Sequence, residues 1–355
     1  MKFRNTGMKT ITLLLTSTLL APAQPPQDAA DLPLDAVTRR QVIDVAIEKL
    51  NGYYVFPEIA GKMAAAVRGR AERGEYDSVN SSRQFAEMLT NHFREVSKDK
   101  HLRVRFTSQT LPNRPAAQAP SGEERERMIR QMGRANFGFR KVEILDGNIG
   151  YLRLDGFYPA EFAGPAAQAA FQFLANVDAL IIDLRWNGGG EPSTVALVAS
   201  YILDGRVHLN DIWERKSGTT EQYWTSESVP GRKLGKTPVW LLTSARTFSG
   251  GEEFAYNLKN LKRATLVGET TGGGAHPVSG HRINDHFLIG VPFARAINPI
   301  TKANWEGTGV APDIEAPAPE ALSQARREAL NQLIEKAPPE AKPQLERIRD
   351  MPPPQ

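Results

Sequence analysis

PVWLLTSARTFSGGEEFAYNLKNLK, residues 238–262, is the stretch on which the reading of this chain turns. Val239 to Leu242 form a short apolar strand, the pattern breaks at Thr243–Arg246, and Phe254, Leu258 and Leu261 then recur at helical spacing. Ser249 stands at the joint, followed by Gly250 and Gly251. At the head of a helix, unpaired N–H groups and the macrodipole favour developing negative charge. Gly250 has no side chain to hold off a second backbone or a substrate carbonyl. A nucleophilic serine beside an oxyanion hole needs these features. The same letters also spell a capping box, Ser249-x-x-Glu252, which closes a helix without any chemistry. On this stretch alone both readings stay open.

Upstream of it the rhythm is strand, helix, strand, helix. Val142–Leu145 and Ile149–Leu154 flank an Asp146-Gly147-Asn148 hairpin turn, and Ala160–Leu174 is amphipathic. Ala179–Leu184 is an apolar run of the kind buried in a parallel sheet. It ends in Arg185-Trp-Asn-Gly-Gly-Gly190, and Ser193–Leu203 is helical again. Such a glycine run either donates N–H groups to an anion or makes a tight turn. Further upstream, residues 32–97 read as three amphipathic helices, the third behind an Asn80-Ser81-Ser82 cap. A strand follows from His101 to Phe106, and its lone boundary histidine is either a surface group or a base. Residues 107–121 are rich in Pro, Ala and Gln and read as a mobile connector, and a polar helix spans Ser121–Met132. Downstream come a strand (Thr265–Val267), a Gly268–Gly274 loop, a β segment from Val278 to Pro292, a charged helix (Pro319–Glu335) and a Pro-rich tail.

Residues 1–23 read as a signal peptide: a basic head (Lys2, Arg4, Lys9), an apolar run from Ile11 to Leu20, and an Ala21-Pro-Ala23 cleavage signal. The run is too short to span a bilayer. The expectation is export to the periplasm or the medium, with no stable membrane anchor after cleavage and a disordered lead-in over 24–31. Cleavage removes three positive charges and no negative ones, so the net charge drops from +4 to +1. No basic stripe with interleaved aromatics marks a nucleic-acid site. Without cysteine there are no disulfides, no thiol nucleophile and no cysteine-based zinc site. His276, His281 and His286 are spaced five apart, which on a strand turns neighbours to opposite faces, and no His-Glu-x-x-His accompanies them. No metal is expected.

Taken together, five blocks resemble the tail-specific (C-terminal processing) serine peptidases. They resemble most closely the branch shared with the tricorn core protease and the repeats of interphotoreceptor retinoid-binding protein. The blocks are Asp99–Val104, Asp183–Gly190, Thr247–Lys259, Arg263–Pro277 and Gly307–Asp313, in family order across about residues 34 to 315. The resemblance implies an α/β fold: a crotonase-like spiral core with a parallel sheet, preceded by a small helical bundle. The implied domains are 32–97 for the bundle, 98–318 for the peptidase core, and 319–355 for a C-terminal helix and tail. About 40 residues separate the His101 strand from the core, too few for a peptide-binding PDZ insertion of roughly 80–100 residues. Ser249 matches the family nucleophile, Gly250 and Gly189 the backbone oxyanion donors, and His101 the general base. Glu306, 57 residues after Ser249, matches the supporting carboxylate. Relatives with a serine–lysine dyad carry lysine where this chain has Gly272–Gly274, and tricorn-type sites carry serine where it has Lys100. The implied substrate is a peptide or protein, with no cofactor, and the base is expected to titrate between roughly pH 6 and 7.5. The alternative is a non-catalytic module for apolar ligands, retinoid or fatty acid, on the same fold.

Overall fold

The computed structural model describes residues 30–113 and 121–351. The expected signal peptide, most of the lead-in, part of the connector and the last four residues lie outside the described residues. Helices α1 (Ala36–Tyr53), α2 (Pro57–Glu72) and α3 (Ser82–Ser97) come first. Asp35 and Ser81 cap α1 and α3, accepting the N–H groups of Thr38 and Gln84 at 2.7 and 2.9 Å. Pro57 opens α2, where its missing N–H costs nothing. Then follow β1 (Arg103–Phe106), α4 (Gly122–Arg134), β2 (Phe139–Leu145), β3 (Ile149–Leu154), α5 (Ala160–Phe173), β4 (Ala179–Asp183) and α6 (Pro192–Ile202). The second half holds β5 (His208–Glu214), β6 (Thr220–Trp224), β7 (Val239–Thr243), α7 (Gly250–Asn260), β8 (Thr265–Gly268), β9 (Val278–Arg282), β10 (Phe287–Pro292), β11 (Ala294–Ile297), β12 (Ile314–Glu315), α8 (Ala321–Lys336) and α9 (Lys342–Asp350). His101 lies in the turn before β1 rather than opening the strand.

The expected α/β core is present as a six-stranded sheet in the order β12-β8-β7-β4-β3-β2. Every neighbouring pair is parallel except the β2–β3 hairpin. Strands β4 and β7 are wholly buried because both faces are covered. Leu180, Ile182 and Leu241 meet α5, α6 and α7 on one face, packing with Phe171, Val198 and Phe254. Ile181, Trp240 and Leu242 point the other way, onto Ala321, Ala325 and Leu330 of α8. The period of two along each strand thus divides one apolar run between two layers.

Two features of packing differ from the sequence reading. Helices α1–α3 bury their apolar faces against a second sheet, β1-β10-β9, where Val104, Phe287 and Ile289 join Leu50, Met63 and Phe85. The chain therefore returns, after residue 278, to complete the core that its first helices begin. The Pro-rich tail also contains a helix, α9, held to α8 by Arg326 Nη2 donating to the Ile348 carbonyl at 2.8 Å. Pro343 sits in the first turn of α9, where proline is tolerated, so a proline-rich composition concealed a helix. Among the described residues no helix is long and apolar enough to cross a membrane.

Candidate active site

The loops leaving the carboxyl ends of β4, β7 and β8 meet at one edge of the large sheet, where open α/β sheets bind ligands. They are welded by buried polar groups. Thr247 Oγ1 donates to Leu184 O at 2.8 Å, Ser244 Oγ donates to Arg185 O at 2.7 Å, and Phe248 N–H donates to Asn187 O at 2.9 Å. Asn187, fully buried, donates to Leu154 O at 2.8 Å through Nδ2. The joint between β7 and α7 places Ser249 at φ 53°, ψ −120°, a left-handed φ that a serine adopts only under constraint. Strained strand-to-helix turns of this kind lift a nucleophile out of the backbone.

Glu252 organises the next layer. Its carboxylate, fully buried, accepts the N–H groups of Ser249 (2.9 Å), Gly273 (2.6 Å) and Gly274 (2.8 Å) and the Thr271 hydroxyl (2.5 Å). The residue that reads as half of a capping box therefore also ties the helix head to the glycine loop after β8. Trp305 holds the same loop from behind, its indole N–H donating to Gly274 O at 2.7 Å. Lys100, where the tricorn-type pattern has serine, reaches across to Gly272 O at 2.6 Å.

Gly189 and Ser249 are in close apposition, since a Cβ on Gly189 would lie 2.7 Å from the Ser249 Cβ. Its N–H is donated to Asn187 Oδ1 at 2.9 Å. Gly190 lines the cleft, sits against Gly250 and has no partner for its N–H among the described residues. The Gly250 N–H, at the first position of α7, is likewise without an acceptor among the described residues. A run of three glycines offers three amides, and sequence alone does not say which of them turns outward.

On the opposite wall His101 packs on Phe248 at 4.6 Å between ring centroids. The backbone N–H of His101 donates to Asp99 Oδ1 at 3.0 Å. Arg94 clamps the turn by donating to Lys100 O and Leu102 O. Asp99, buried, also accepts the Tyr54 hydroxyl at 3.2 Å and His276 Nδ1 at 2.8 Å through Oδ2. Glu306 accepts the Ala275 N–H at 2.5 Å through Oε2 and lies 3.5 Å from His276 Nδ1. One ligating atom each of Asp99, His101 and Glu306 falls within 4.8 Å of the others. Among the described residues, His101 Nδ1 and Glu306 Oε1 are buried without hydrogen-bond partners. Asp99 is already committed to three donors, so the group is built as an acid–base cluster first.

The electrostatics follow from burial. Burial pushes the His101 imidazole down to about 4, against the pull of the Asp99 charge. The same effect, with the Asp99 charge added, pushes the Glu306 carboxyl up to about 7. Burial pulls the His276 imidazole down too, but the bond to Asp99 and its charge outweigh that, and its pKa is raised. With His101 shifted down and Glu306 up, burial favours a neutral His101 near neutral pH, where the Glu306 carboxyl is poised to change charge. His276 and Asp99 carried no role in the sequence reading. Their only signal was membership of matched blocks, Asp99 opening the one that holds His101 and His276 near the end of the one that holds the glycine run.

Ser249, Gly250, Gly190 and His101 line one cleft of about 570 Å3, while Glu306 stands behind it. Comparison with known proteins places the chain among peptidases. The profile of Peptidase family S41 matches residues 148–316, and that of the N-terminal domain of Peptidase_S41 in eukaryotic IRBP matches residues 36–146. The chloroplastic carboxyl-terminal-processing peptidase 2 of Arabidopsis thaliana is 31% identical over 171 residues, 48% of this chain and 32% of the relative. The tricorn protease of Thermoplasma volcanium is 32% identical over 108 residues, 30% of this chain and 9% of the relative. A lipoprotein from Streptococcus agalactiae shares the fold, with a TM-score of 0.55 at 14% identity over 83% of this chain and 96% of that one. The chain spans about a third or less of the length of the curated relatives it matches.

Proposed function

The chain belongs to peptidase family S41, and from that premise we propose that it is an exported serine peptidase hydrolysing peptide bonds in protein tails or unstructured peptides. Ser249 Oγ attacks the carbonyl carbon while the His101 imidazole takes the hydroxyl proton. The Gly250 and Gly190 amides hold the oxyanion. The C–N bond then breaks, His101 returns the proton to the leaving amine, and water, deprotonated by His101, releases the acyl group. Glu306 as carboxylate stabilises the imidazolium formed in each transition state. Export rests on the basic head, apolar run and Ala-Pro-Ala signal of residues 1–23.

The observation that carries this reading is the strained Ser249 backbone set between two glycines whose amides are unpaired among the described residues, in one cleft with a neutral buried histidine. A helix cap needs none of that arrangement. The carrier alternative is weakened by the cleft's charge: no lysine or arginine is among its described lining residues, so a fatty-acid carboxylate has no cation to meet. The test is labelling of the mature protein with a serine-directed phosphonate, with the adduct mapped, beside hydrolysis of unstructured peptides by wild type and Ser249→Ala. The expected adduct is on Ser249, with hydrolysis lost and the thermal midpoint moved only by a cap of about 0.5–2 kcal/mol. Normal turnover by a folded Ser249→Ala protein overturns the reading.

A further inference from the structure

Behind the base and its carboxylate stands a second histidine that the mechanism above does not use. His276 follows the Gly272–Gly274 loop and is buried, with Nδ1 2.8 Å from Asp99 Oδ2 and 3.5 Å from Glu306 Oε2. One ring nitrogen thus sits between two carboxylates. Phe56 meets the ring edge-on, at 5.4 Å between centroids. Tyr54, the residue that ends α1, donates its hydroxyl to the same Asp99 Oδ2, so the helical bundle carries part of the cluster. Asp99 and Glu306 each bring an oxygen to within 4.8 Å of the other. Two carboxylates so close in a dry site do not both ionise unless a cation is shared between them. Burial pushes the Asp99 carboxyl up, but its bond to His276, the nearby histidine charges and the His101 N–H outweigh that and hold it low. Glu306 is then the carboxyl that gives way and takes a proton, and a protonated Glu306 has no charge to offer the His101 imidazolium.

We propose that His276 is a positioning residue of the peptidase: as an imidazolium held by Asp99, it is the counter-charge that keeps Glu306 ionised behind His101. The proposal rests on the peptidase reading and deepens it. The groups around the cluster act in a consistent sense. Burial and the Asp99 charge press the Glu306 carboxyl up, Glu252 of α7 adds to them, and the His276 charge opposes them. At His276 itself burial and Arg295 of β11 work against the proton, while Asp99 and Glu306 favour it and prevail. Burial, His276 and Arg94 of α3 all work against a charge on the His101 ring, so the resting cation lies on His276 and the base stays neutral. A neutral His276 with its one proton on Nδ1 makes the same bond to Asp99 but leaves Glu306 facing an uncompensated anion. The proposal therefore turns on the charge of the ring rather than on its hydrogen bond.

His276→Asn provides the test, because it offers an amide N–H near the place of Nδ1 and carries no charge. The Glu306 carboxyl is followed by carbon NMR, its signal assigned by its loss in Glu306→Gln. In His276→Asn its titration is expected to move up by about one pH unit or more. The rising limb of kcat/KM is expected to move with it, a loss of about fivefold at pH 7 for a one-unit shift, recovered by about pH 9. Asp99→Asn is expected to move both the other way, since the Asp99 charge outweighs the His276 charge at Glu306. In the wild type, nitrogen NMR of the His276 ring is expected to show both nitrogens protonated in most molecules at pH 7. A neutral ring there overturns the proposal without any variant. So do an unmoved Glu306 titration in a folded His276→Asn protein, a rate loss equal at every pH, and shifts of one direction in the two variants. A wild type that shows the ring and carboxyl titrations but cleaves no peptide keeps the counter-charge and loses the peptidase reading.

Discussion

The two walls of the cleft are built in opposite ways. On the wall formed by the β4, β7 and β8 loops, the side chains that hold the loops are paired: Asn187 spans two loops, Glu252 takes four donors, and Trp305 and Lys100 hold glycine carbonyls. On the histidine wall, His101 Nδ1 and Glu306 Oε1 are buried and unpaired, and the pKa values of His101 and Glu306 are displaced in opposite directions. The difference teaches a division of labour. Holding an oxyanion requires fixed dipoles that do not reorganise, which a fully satisfied network supplies. Moving a proton requires groups whose charge state is finely balanced, which incomplete pairing and burial supply.

The sharpest way to break that comparison is His101→Ala. It removes the proton acceptor and leaves the paired wall untouched, so kcat/KM is expected to fall by about 10³–10⁴ with the thermal midpoint within a few degrees of wild type. Peptide turnover that survives the substitution in a folded protein removes His101 from the base role.

Next in size is Glu252→Ala, which attacks the other wall. Three N–H groups and a hydroxyl lose their acceptor, at about 1–3 kcal/mol for each buried donor left unsatisfied. A loss of several kcal/mol in urea unfolding is expected, because relaxation and water recover part of the sum. Activity is expected to fall through disorder of the Ser249 joint rather than through a changed pH profile. A stability loss below about 1 kcal/mol means that the hub is not holding the loops.

Glu306→Gln separates proton work from stability. With His101 neutral above its value of about 4, the rise of kcat/KM with pH is expected near 7, where Glu306 becomes anionic. The Gln variant loses that limb and about 10–100-fold in rate. The sign for stability is opposite. A carboxyl raised from 4.5 to about 7 contributes fully below 4.5, and that contribution is lost as pH rises through 7. Glutamine has no proton to lose, so the variant is expected to match wild type near pH 4 and to exceed it by about 3 kcal/mol at pH 8. A pH–rate limb that persists unchanged in Glu306→Gln assigns it to another group.

The smallest effect is expected from Lys100→Met. Its bond to Gly272 O is exposed, and only about 0.5–1.5 kcal/mol and less than a tenfold change in rate should follow. A collapse of activity there, seen in steady-state kinetics, makes Lys100 part of the chemistry and redraws the boundary between the walls.

Much of this was legible in the chain itself. The apolar runs Ala179–Leu184 and Val239–Leu242, with amphipathic helices between them, are enough for a buried parallel sheet, because periodicity and turn residues are local properties. The same holds for the Ser81 cap, the Asp146-Gly147-Asn148 hairpin and the sharp break at Ser249. Ordered motif blocks singled out Ser249 and His101, which the fold brings to one cleft across 148 residues of sequence. Tertiary structure alone decided which glycine amide is free, because that depends on Asn187 reaching back to Gly189. It alone joined α1–α3 to the strands after residue 278 and set Asp99 against His276, since both contacts close long loops that no local pattern records. It also decided the charge states. His101 and Glu306 carry ordinary pKa values as letters in a chain, and only burial in a shared, dry cluster drives one down and the other up.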